Sequence, residues 1–323
     1  MPLPDKNANG EDSGLANAVK NRSAHIVHLT HNDLDAVGAD AIHRIKYGSD
    51  DVFTIWSSVG KFARLFSLVA SCKGKGDLLS ISDLGYQKDT ETIAGKARAN
   101  GWNVEWRDHH RWREDEVKKV TREVSLLRLD TAVCACGIVA RDLTPDNSVA
   151  AEVARVVCDY DLWKHTDPRS AVLGQVLQRK KNRDHVRDCL VAGIFSDAFI
   201  EQEYAEIKAE MDAMMHQSLR YATITGTKYR IAFAPLYGYP SETAHFIRNE
   251  RKTDIEVIIS KDGKFSLRSV PPVSHLIARE FGGGGHPNAA GGSFNFTVIE
   301  RLAWWLFKKS RHFKEFVTIA DAH

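Results

Sequence analysis

The chain has 323 residues, which suits two domains, and 44 Lys and Arg against 42 Asp and Glu leave a formal net charge of +2. This balance excludes a strongly basic nucleic-acid coat, although it leaves room for a local basic groove. No apolar run approaches the roughly 18–20 residues that cross a bilayer, and the polar start resembles no signal peptide. We therefore expect a soluble, cytoplasmic protein with no membrane association.

Five cysteines are scattered along the chain, and none of them forms a CxxC pair. Cys134 and Cys136 lie in an apolar stretch, which is typical of buried side chains. The prediction is that the cysteines are reduced, mostly buried thiols rather than zinc ligands or disulfides. The five are Cys72, Cys134, Cys136, Cys158 and Cys189.

Residues 1–22 are polar and predict a disordered tail. From His25 to residue 106, β-prone runs alternate with helical patterns, which predicts βαβ units and a mostly parallel sheet. The predicted strands are 25–30, 52–56, 78–82 and 102–106, and the predicted helices are 36–47, 62–71 and 90–100.

After residue 111 the pattern becomes helical, at 131–142 and 148–157. Residues 178–184 are charged with no apolar face and predict a surface loop, and a long amphipathic helix follows at about 200–221. Four further β-prone runs, at 222–225, 229–233, 255–260 and 265–269, indicate a smaller second sheet. An apolar last helix around Trp304, Trp305 and Phe307 suits either a core or an interface, so a homodimer is one expectation.

Acidic and imidazole side chains follow three of the predicted strands. In chain order they are His31, Asp33 and Asp35 after 25–30, Asp83 after 78–82, and Asp108, His109 and His110 after 102–106, with Asp159 and Asp161 after the helix at 148–157. Open α/β sheets bind ligands at the carboxyl ends of their strands. One Asp at such a point is typical of a helix N-cap, but a His and two Asp within five residues suit a binding site better.

This set offers oxygen and nitrogen ligands and no thiolate, which favours Mn²⁺ or Mg²⁺ over a structural zinc. The number of groups fits a site for two metal ions about 3.5–4 Å apart. A metal pair of this kind activates water and neutralises charge on a phosphoryl oxygen. The pattern therefore predicts hydrolysis of a phosphoester or phosphoanhydride.

The chain resembles the DHH phosphoesterase superfamily, named for the triplet present here as Asp108-His109-His110. The run 265–269 and the glycine-rich string 282–291 are similar to the signature of the DHHA1 domain, so the resemblance covers about 290 residues. It implies an α/β fold, with a parallel-sheet DHH catalytic domain at 23–180 and linker helices at 181–220. A smaller α/β DHHA1 domain that binds substrate follows at 221–318.

The resemblance also implies residue roles. His31, Asp33 and Asp83 would hold one ion, and Asp35, Asp83, His109 and Asp159 the other, so that Asp83 bridges the two. The flanking sequence leaves Asp159 and Asp161 open, and Asp159 is favoured because it comes first after the apolar helix. The catalytic set is Asp108, His109 and His110, in which Asp108 orients an imidazole and His110 faces the phosphate.

The second domain supplies the implied substrate-binding residues, which are Arg268, Ser269, Gly283, Gly284, Gly285 and His286. The glycine run supports this role independently, because consecutive glycines expose backbone N–H groups that form anion-binding nests. Arg268 suits a phosphate because its guanidinium is a forked donor.

The implied activity is hydrolysis of short RNA or DNA oligonucleotides and linear dinucleotides to nucleoside 5′-monophosphates. Two divalent cations are the cofactor, with manganese favoured over magnesium. The absence of a Lys/Arg track argues against long nucleic acids.

Three alternatives remain. One is a cyclic di-AMP phosphodiesterase or an adenosine 3′,5′-bisphosphate phosphatase. The second is an exopolyphosphatase or pyrophosphatase, which would use basic residues from Arg179 to Arg183. The third is a nucleotide- or RNA-binding module without activity.

Overall fold

The structure is a computed structural model that describes residues 8–323, and the chain separates into two compact units. One unit ends at Tyr204 and the other runs from Ala205 to His323. The division falls inside a helix, Ala198–Arg220, which matches the long helix predicted from the sequence pattern.

The first unit alternates strands and helices and then becomes helical. Its elements are α1 (Ala8–Lys20), β1 (Ile26–Thr30), α2 (Leu34–Tyr47), β2 (Val52–Trp56), α3 (Phe62–Ala70), β3 (Leu78–Ser82), α4 (Thr90–Ala99), β4 (Asn103–Asp108), α5 (Glu114–Thr121), β5 (Leu126–Leu129), α6 (Ala135–Leu143), α7 (Ser148–Asp161), α8 (Pro168–Val176), α9 (Arg183–Val191) and α10 (Ala198–Arg220). Short 3₁₀ turns lie at Ser49–Asp51, Val59–Lys61 and Lys180–Asn182.

The five strands form one sheet in the order β2-β1-β3-β4-β5, and every neighbouring pair is parallel. The predicted parallel α/β sheet is therefore confirmed, although β5 and α5 are absent from the sequence prediction. Apolar strand residues such as Leu29 and Ile81 pack with α3 and α4 in one buried core. A second core joins α2, α6, α7 and α9.

One face of this sheet is polar although it is fully buried. Thr30 Oγ1 lies 2.9 Å from Ser82 Oγ, and Ser82 Oγ lies 2.8 Å from His28 Nε2. His28 Nδ1 continues the chain to Asp40 Oδ1 of α2 at 2.8 Å. Strands buried on both faces are usually apolar throughout. Here each buried hydroxyl and imidazole has a partner, which offsets the cost of its desolvation.

Asp40 is the acceptor on which this chain ends. Its carboxylate also accepts hydrogen bonds from Arg44 Nε at 2.9 Å and from Thr54 Oγ1 at 2.7 Å. It is fully buried, so its charge depends on these partners.

We expect Asp40→Ala to lower the free energy of unfolding by about 3–5 kcal/mol, because it leaves buried donors on His28 and Arg44 unpaired. The measurement is urea unfolding of the metal-free protein. Glu114→Ala is the matched control, since its pair with Lys118 is solvent-exposed and its loss should change the free energy by less than about 0.5 kcal/mol. Equal effects of the two substitutions would contradict the assigned role of Asp40.

The predicted disordered tail is wrong for residues 8–20, which form helix α1, while residues 1–7 lie outside the described residues. Val19 is fully buried, and Leu15 packs against the same core. Their spacing of four residues places them on one helix face. The polar composition around them conceals this short apolar stripe.

The prediction of reduced cysteines is wrong for Cys134 and Cys158, which form a disulfide. The packing of α6 against α7 brings their Cα atoms to 5.2 Å across a sequence separation of 24 residues. A separation of this kind gives no local signal in the sequence. Cys72, Cys136 and Cys189 are free and buried, as predicted.

The second unit contains the smaller sheet that the sequence predicts. Its elements are β6 (Thr223–Thr225), β7 (Ile231–Pro235), α11 (Pro240–Arg251), β8 (Ile255–Ile259), β9 (Lys264–Ser269), α12 (Ser274–Glu280), β10 (Gly284–His286), β11 (Ala289–Ser293), α13 (Val298–Phe307) and α14 (His312–Ala322). The strand order is β10-β11-β9-β8-β7-β6, in which β7 and β8 are parallel and the other pairs antiparallel.

Helix α13 has a buried and an exposed apolar face. Trp304 is buried in the core of the second unit, whereas Trp305 and Phe307 are more than half exposed. This helix is therefore part of the core on one face and part of the surface on the other. Within residues 8–323, no helix combines the length and apolar character that crossing a bilayer requires.

Candidate metal centre

Three neighbouring parallel strands bring the predicted residues to one edge of the first sheet. In the register, Thr30 of β1 pairs with Ser82 of β3, and Ser82 pairs with Arg107 of β4. The strands therefore end side by side, and the residues that follow them emerge at the same carboxyl edge. Asp83 leaves this edge with φ of 55°, a left-handed conformation that Asp adopts more readily than most residues.

One group of side chains consists of His31, Asp33 and Asp83. The Nδ1 atom of His31 lies 2.7 Å from Asp33 Oδ2 and 3.6 Å from Asp83 Oδ2. The three donor atoms lie within 4.8 Å of one another, so these residues could hold one cation. Asp33 is also the N-cap of α2, and its Oδ1 accepts from Ala36 N at 3.2 Å, which orients the carboxylate.

A second group consists of Asp35, His109 and Asp161. His109 Nε2 lies 3.8 Å from Asp35 Oδ2, and His109 Nδ1 lies 3.6 Å from Asp161 Oδ2. Asp83 Oδ1 lies 3.4 Å from His109 Nε2, so the two oxygens of Asp83 face the two groups. Asp83 could therefore contribute one oxygen to each group.

Two oxygens in these groups have no hydrogen-bond partner. Asp83 Oδ2 and Asp161 Oδ2 are both buried and both unpaired. A buried unpaired carboxylate oxygen is costly unless it meets a cation. The donor set of carboxylates and imidazoles fits divalent Mn²⁺ or Mg²⁺ and includes no thiolate.

Asp35 is held from the opposite side by a helix N-terminus. Its Oδ2 accepts from Ala135 N at 2.8 Å, and its Oδ1 accepts from Cys136 N at 2.7 Å. These amides belong to the first turn of α6, whose unpaired N–H groups favour a carboxylate. The position of Asp35 is therefore set by α6 rather than by its own helix alone.

The crowding of acids shifts their titration. Burial raises the pKa of Asp83 well above its ordinary value, and the charges of Asp33, Asp35 and Asp161 raise it further. Burial and the charge of Asp33 raise the pKa of Asp161 to about 7. Burial, followed by the charges of Asp161 and Asp33, raises the pKa of Asp35. A bound cation would favour the ionised form of each group.

Asp159, predicted as a ligand, is not among the side chains that these groups bring together, and Asp161 lies there instead. Asp159 Oδ1 accepts from the backbone N–H of Thr166 at 2.9 Å and from its hydroxyl. Asp159 Oδ2 accepts from Asp167 N at 3.1 Å and from Ser170 Oγ at 2.6 Å. With both oxygens engaged by the loop before α8, Asp159 is a structural cap.

Asp108 and His110 form a hydrogen-bonded pair next to these groups. His110 Nδ1 lies 2.8 Å from Asp108 Oδ1, and Trp112 Nε1 donates to Asp108 Oδ2 at 2.7 Å. Asp108 is fully buried, and its hydrogen bond raises the pKa of His110. His110 also lies within 4.8 Å of donor atoms of Asp83 and His109. The predicted roles of these residues stay predictions.

A basic segment reaches this edge, although the sequence pattern assigns it to a solvated loop. Lys180 Nζ donates to the carbonyl of Asn32 at 2.6 Å, between His31 and Asp33 in the chain. Burial lowers the pKa of Lys180, and the charge of Asp33 opposes this shift. The Arg183 guanidinium lies 5.1 Å from the ring centre of Trp56, the last residue of β2. The sequence offers this basic run only for the polyphosphatase alternative, and a charge run without periodicity gives no sign that Lys180 contacts the strand end at Asn32.

In the second unit, the predicted Arg268 and His286 lie on one sheet face. His286 pairs with Ala289 of β11, and Ala289 pairs with Arg268 of β9. Residues directly opposite in antiparallel strands share a face, so only an alanine methyl group stands between the two basic side chains. Arg268 Nη2 donates to Ser241 Oγ at 2.7 Å, and burial lowers the pKa of Arg268. The two side chains are placed so that both could contact one anion.

The predicted contact between substrate and Ser269 conflicts with the structure. Ser269 is buried, and its hydroxyl donates to Pro271 O at 2.6 Å and lies 2.7 Å from Ser274 Oγ. Gly283 directly precedes β10, and Gly285 lies within it, so both belong to the exposed edge hairpin of β10 and β11. A Cβ at Gly283 would lie 1.9 Å from Gly291 O, and one at Gly285 would lie 2.6 Å from Ala289 O. Close strand approach is therefore what requires these glycines.

No protein-family model matches the chain, and no curated protein sequence matches it. The DHH domain of a member of a ribosomal protein family superposes with a TM-score of 0.62 and 14% identity, covering 95% of this chain and 90% of that one. Exonuclease RecJ bound to manganese superposes with a TM-score of 0.56 and 15% identity, covering 99% and 96%. The pGpG-specific phosphodiesterase from Vibrio cholerae has a TM-score of 0.53 and 12% identity, covering 88% and 98%.

The chain has the fold of DHH-domain proteins. The coverage extends over both units, so the DHH fold and the smaller second sheet belong to one architecture. This confirms the fold that the resemblance based on the Asp108-His109-His110 triplet implies. Identities of 12–15% show a shared fold only.

Asp161→Asn should weaken Mn²⁺ binding by at least about 100-fold, because it removes a buried anionic oxygen from the second group. Asp159→Asn is the matched comparison two residues away. It should lower the free energy of unfolding by about 1–3 kcal/mol, because its amide would face donors, with less than about a 10-fold loss of Mn²⁺ affinity. Metal titration and urea unfolding separate the two, and the reverse ranking would restore Asp159 as the ligand.

Stabilisation of this protein by Mn²⁺ should increase with pH. Acids whose folded pKa is raised stabilise the metal-free fold at low pH, and this stability is lost as pH rises through the folded pKa, about 7 for Asp161. Metal binding must displace those protons, so the rise in Tm with Mn²⁺ should be larger at pH 8 than at pH 6. Asp161→Asn should flatten the difference. A Tm shift independent of pH in the unmodified protein would contradict the assignment.

Proposed function

We propose that the chain is a metal-dependent phosphoesterase that hydrolyses short oligonucleotides and linear dinucleotides to nucleoside 5′-monophosphates. The observation that carries the proposal is the pair of buried, unpaired oxygens on Asp83 and Asp161 at a sheet edge lined by further acids and imidazoles. The DHH fold supports it, since an exonuclease and a pGpG-specific phosphodiesterase share that fold.

Two divalent cations are the proposed cofactor. His31, Asp33 and Asp83 would hold one, and Asp83, Asp35, His109 and Asp161 the other. When bound, such a pair supplies an activated water and neutralises phosphoryl charge. Imidazole ligands favour Mn²⁺ over Mg²⁺.

His110 is the proposed proton donor to the leaving oxygen. Asp108 binds Nδ1 of His110, which fixes the imidazole and raises its pKa, so the ring stays protonated closer to neutral pH. A protonated imidazole transfers its proton readily at that pH. Asp108 acts through His110 and is therefore a positioning residue.

Basic side chains would bind the phosphate groups of the substrate. Lys180, beside the first acid group, would offset the charge of the scissile phosphate. In the second unit, Arg268 and His286 would bind a further anionic group of a short substrate. A few separated cations suit a short chain better than a long one, which needs many phosphate contacts.

The test is a Mn²⁺ assay of five substrates side by side: a labelled RNA dinucleotide, a 24-mer, cyclic di-adenylate, adenosine 3′,5′-bisphosphate and polyphosphate. Fastest turnover of the dinucleotide, lost in Asp108→Ala and His109→Ala, is the expected result. Faster turnover of another of the five substrates would support the metal site but assign it a different substrate. Binding of nucleotides without turnover of any substrate would favour a binding module instead.

Lys180→Ala should raise KM for the dinucleotide about 10-fold, since a charge-assisted contact of roughly 1.5–3 kcal/mol to the substrate is removed. Lys181→Ala is the matched control, because Lys181 Nζ instead pairs with Glu203 Oε1 at 2.8 Å. Steady-state kinetics on both variants decide the question. If both substitutions change KM equally, general charge rather than Lys180 itself governs binding.

A further inference from the structure

A second cluster of metal-ligating side chains lies outside the candidate metal centre. His185 and Cys189 are four residues apart on α9 and so share one helix face. Asp197 stands directly before α10, and its Oδ2 lies 2.7 Å from His185 Nε2 and 3.4 Å from Cys189 Sγ. The third side of this triangle, from Cys189 Sγ to His185 Nε2, is 3.5 Å.

These separations are close to those of three ligands on one tetrahedral zinc. With Zn–S of about 2.3 Å and Zn–N and Zn–O of about 2.0–2.1 Å, sulfur stands roughly 3.5 Å from each other ligand, and nitrogen about 3.3 Å from oxygen. Both sulfur distances agree with this geometry. His185 Nε2 and Asp197 Oδ2 would have to move about 0.6 Å further apart than their present 2.7 Å, which small side-chain rotations allow.

The surroundings orient the three groups toward one point. Asp197 Oδ1 accepts from Ile200 N at 2.8 Å, as an N-cap of α10, which turns Oδ2 toward α9. Phe199 packs on the His185 ring with centroids 4.4 Å apart, and Cys189 is buried. Such outer contacts are what hold metal ligands in place.

We propose that His185, Cys189 and Asp197 form a zinc site that ties the end of α9 to the start of α10. Binding replaces the thiol proton of Cys189, which passes to solvent, and a water would complete four-fold coordination on the partly exposed side of His185 and Asp197. The site shares no residue with the candidate metal centre and stands independently of the proposed phosphoesterase activity. Its thiolate also selects a softer ion than the carboxylate-rich centre does.

Cobalt(II) absorption distinguishes the two sites, because only a cysteine ligand gives a thiolate-to-cobalt charge-transfer band in the near ultraviolet. The chelator-treated full chain, loaded with Co²⁺, should show this band together with the visible bands of tetrahedral cobalt, and Zn²⁺ should displace them. Cys189→Ser should abolish the band, and Asp197→Asn should weaken Zn²⁺ binding at the site at least about 10-fold while it keeps the N-cap. Circular dichroism shows whether each variant is folded.

Cys136→Ala is the matched control, because Cys136 is a buried free thiol next to the candidate metal centre. Burial, followed by the charge of Asp35, raises the pKa of that thiol. The band should survive this substitution and also Asp83→Asn. A band absent from the unmodified protein, retained in folded Cys189→Ser or lost in Cys136→Ala would overturn the proposal. In that case the cluster is a hydrogen-bonded cap in which His185 and Cys189 both donate to Asp197.

Discussion

The carboxylates of Asp35, Asp83 and Asp161 are buried close to one another, and this crowding of like charges is the constraint on which the rest of the first unit depends. Burial raises the pKa of each of the three, and the charge of the nearby Asp33 raises each of them further. Water is excluded from two of the oxygens, so hydration does not relieve the repulsion. A divalent cation at each group would relieve it, and the imidazoles of His31 and His109, one in each group, would add ligands without adding negative charge.

Holding several acids in such positions requires a rigid frame. The hydrogen-bonded chain from Thr30 through Ser82 and His28 to Asp40 joins β1, β3 and α2 directly beneath the strand ends that carry the ligands. On the other side, Asp35 accepts two amides from α6. The Cys134–Cys158 disulfide then links the residue before α6 to α7, the helix that carries Asp161.

The two units carry complementary parts of the proposed chemistry. The first concentrates acids at a sheet edge, with Lys180 beside them, and the second sets Arg268 and His286 on one face of its own sheet. The near-zero overall charge conceals this separation, because acidic and basic groups are gathered in different places. A short polyanion that meets a few well-placed cations needs no extended basic surface.

The sequence by itself determined the parallel sheet, the acids at its carboxyl edge and the DHH triplet. The reason is that the hydrophobic period of each strand is visible along the chain, and the carboxyl ends of parallel strands lie at one edge of the sheet.

Tertiary structure alone decided between Asp159 and Asp161. Residues two apart on a helix point about 200° away from each other, so only one can face the metal centre, and the sequence does not tell which face α7 presents. Lys180 against Asn32, the disulfide, the buried hydroxyl of Ser269 and the triangle formed by His185, Cys189 and Asp197 depend likewise on contacts between separate elements. Packing, not spacing along the chain, brings those groups together.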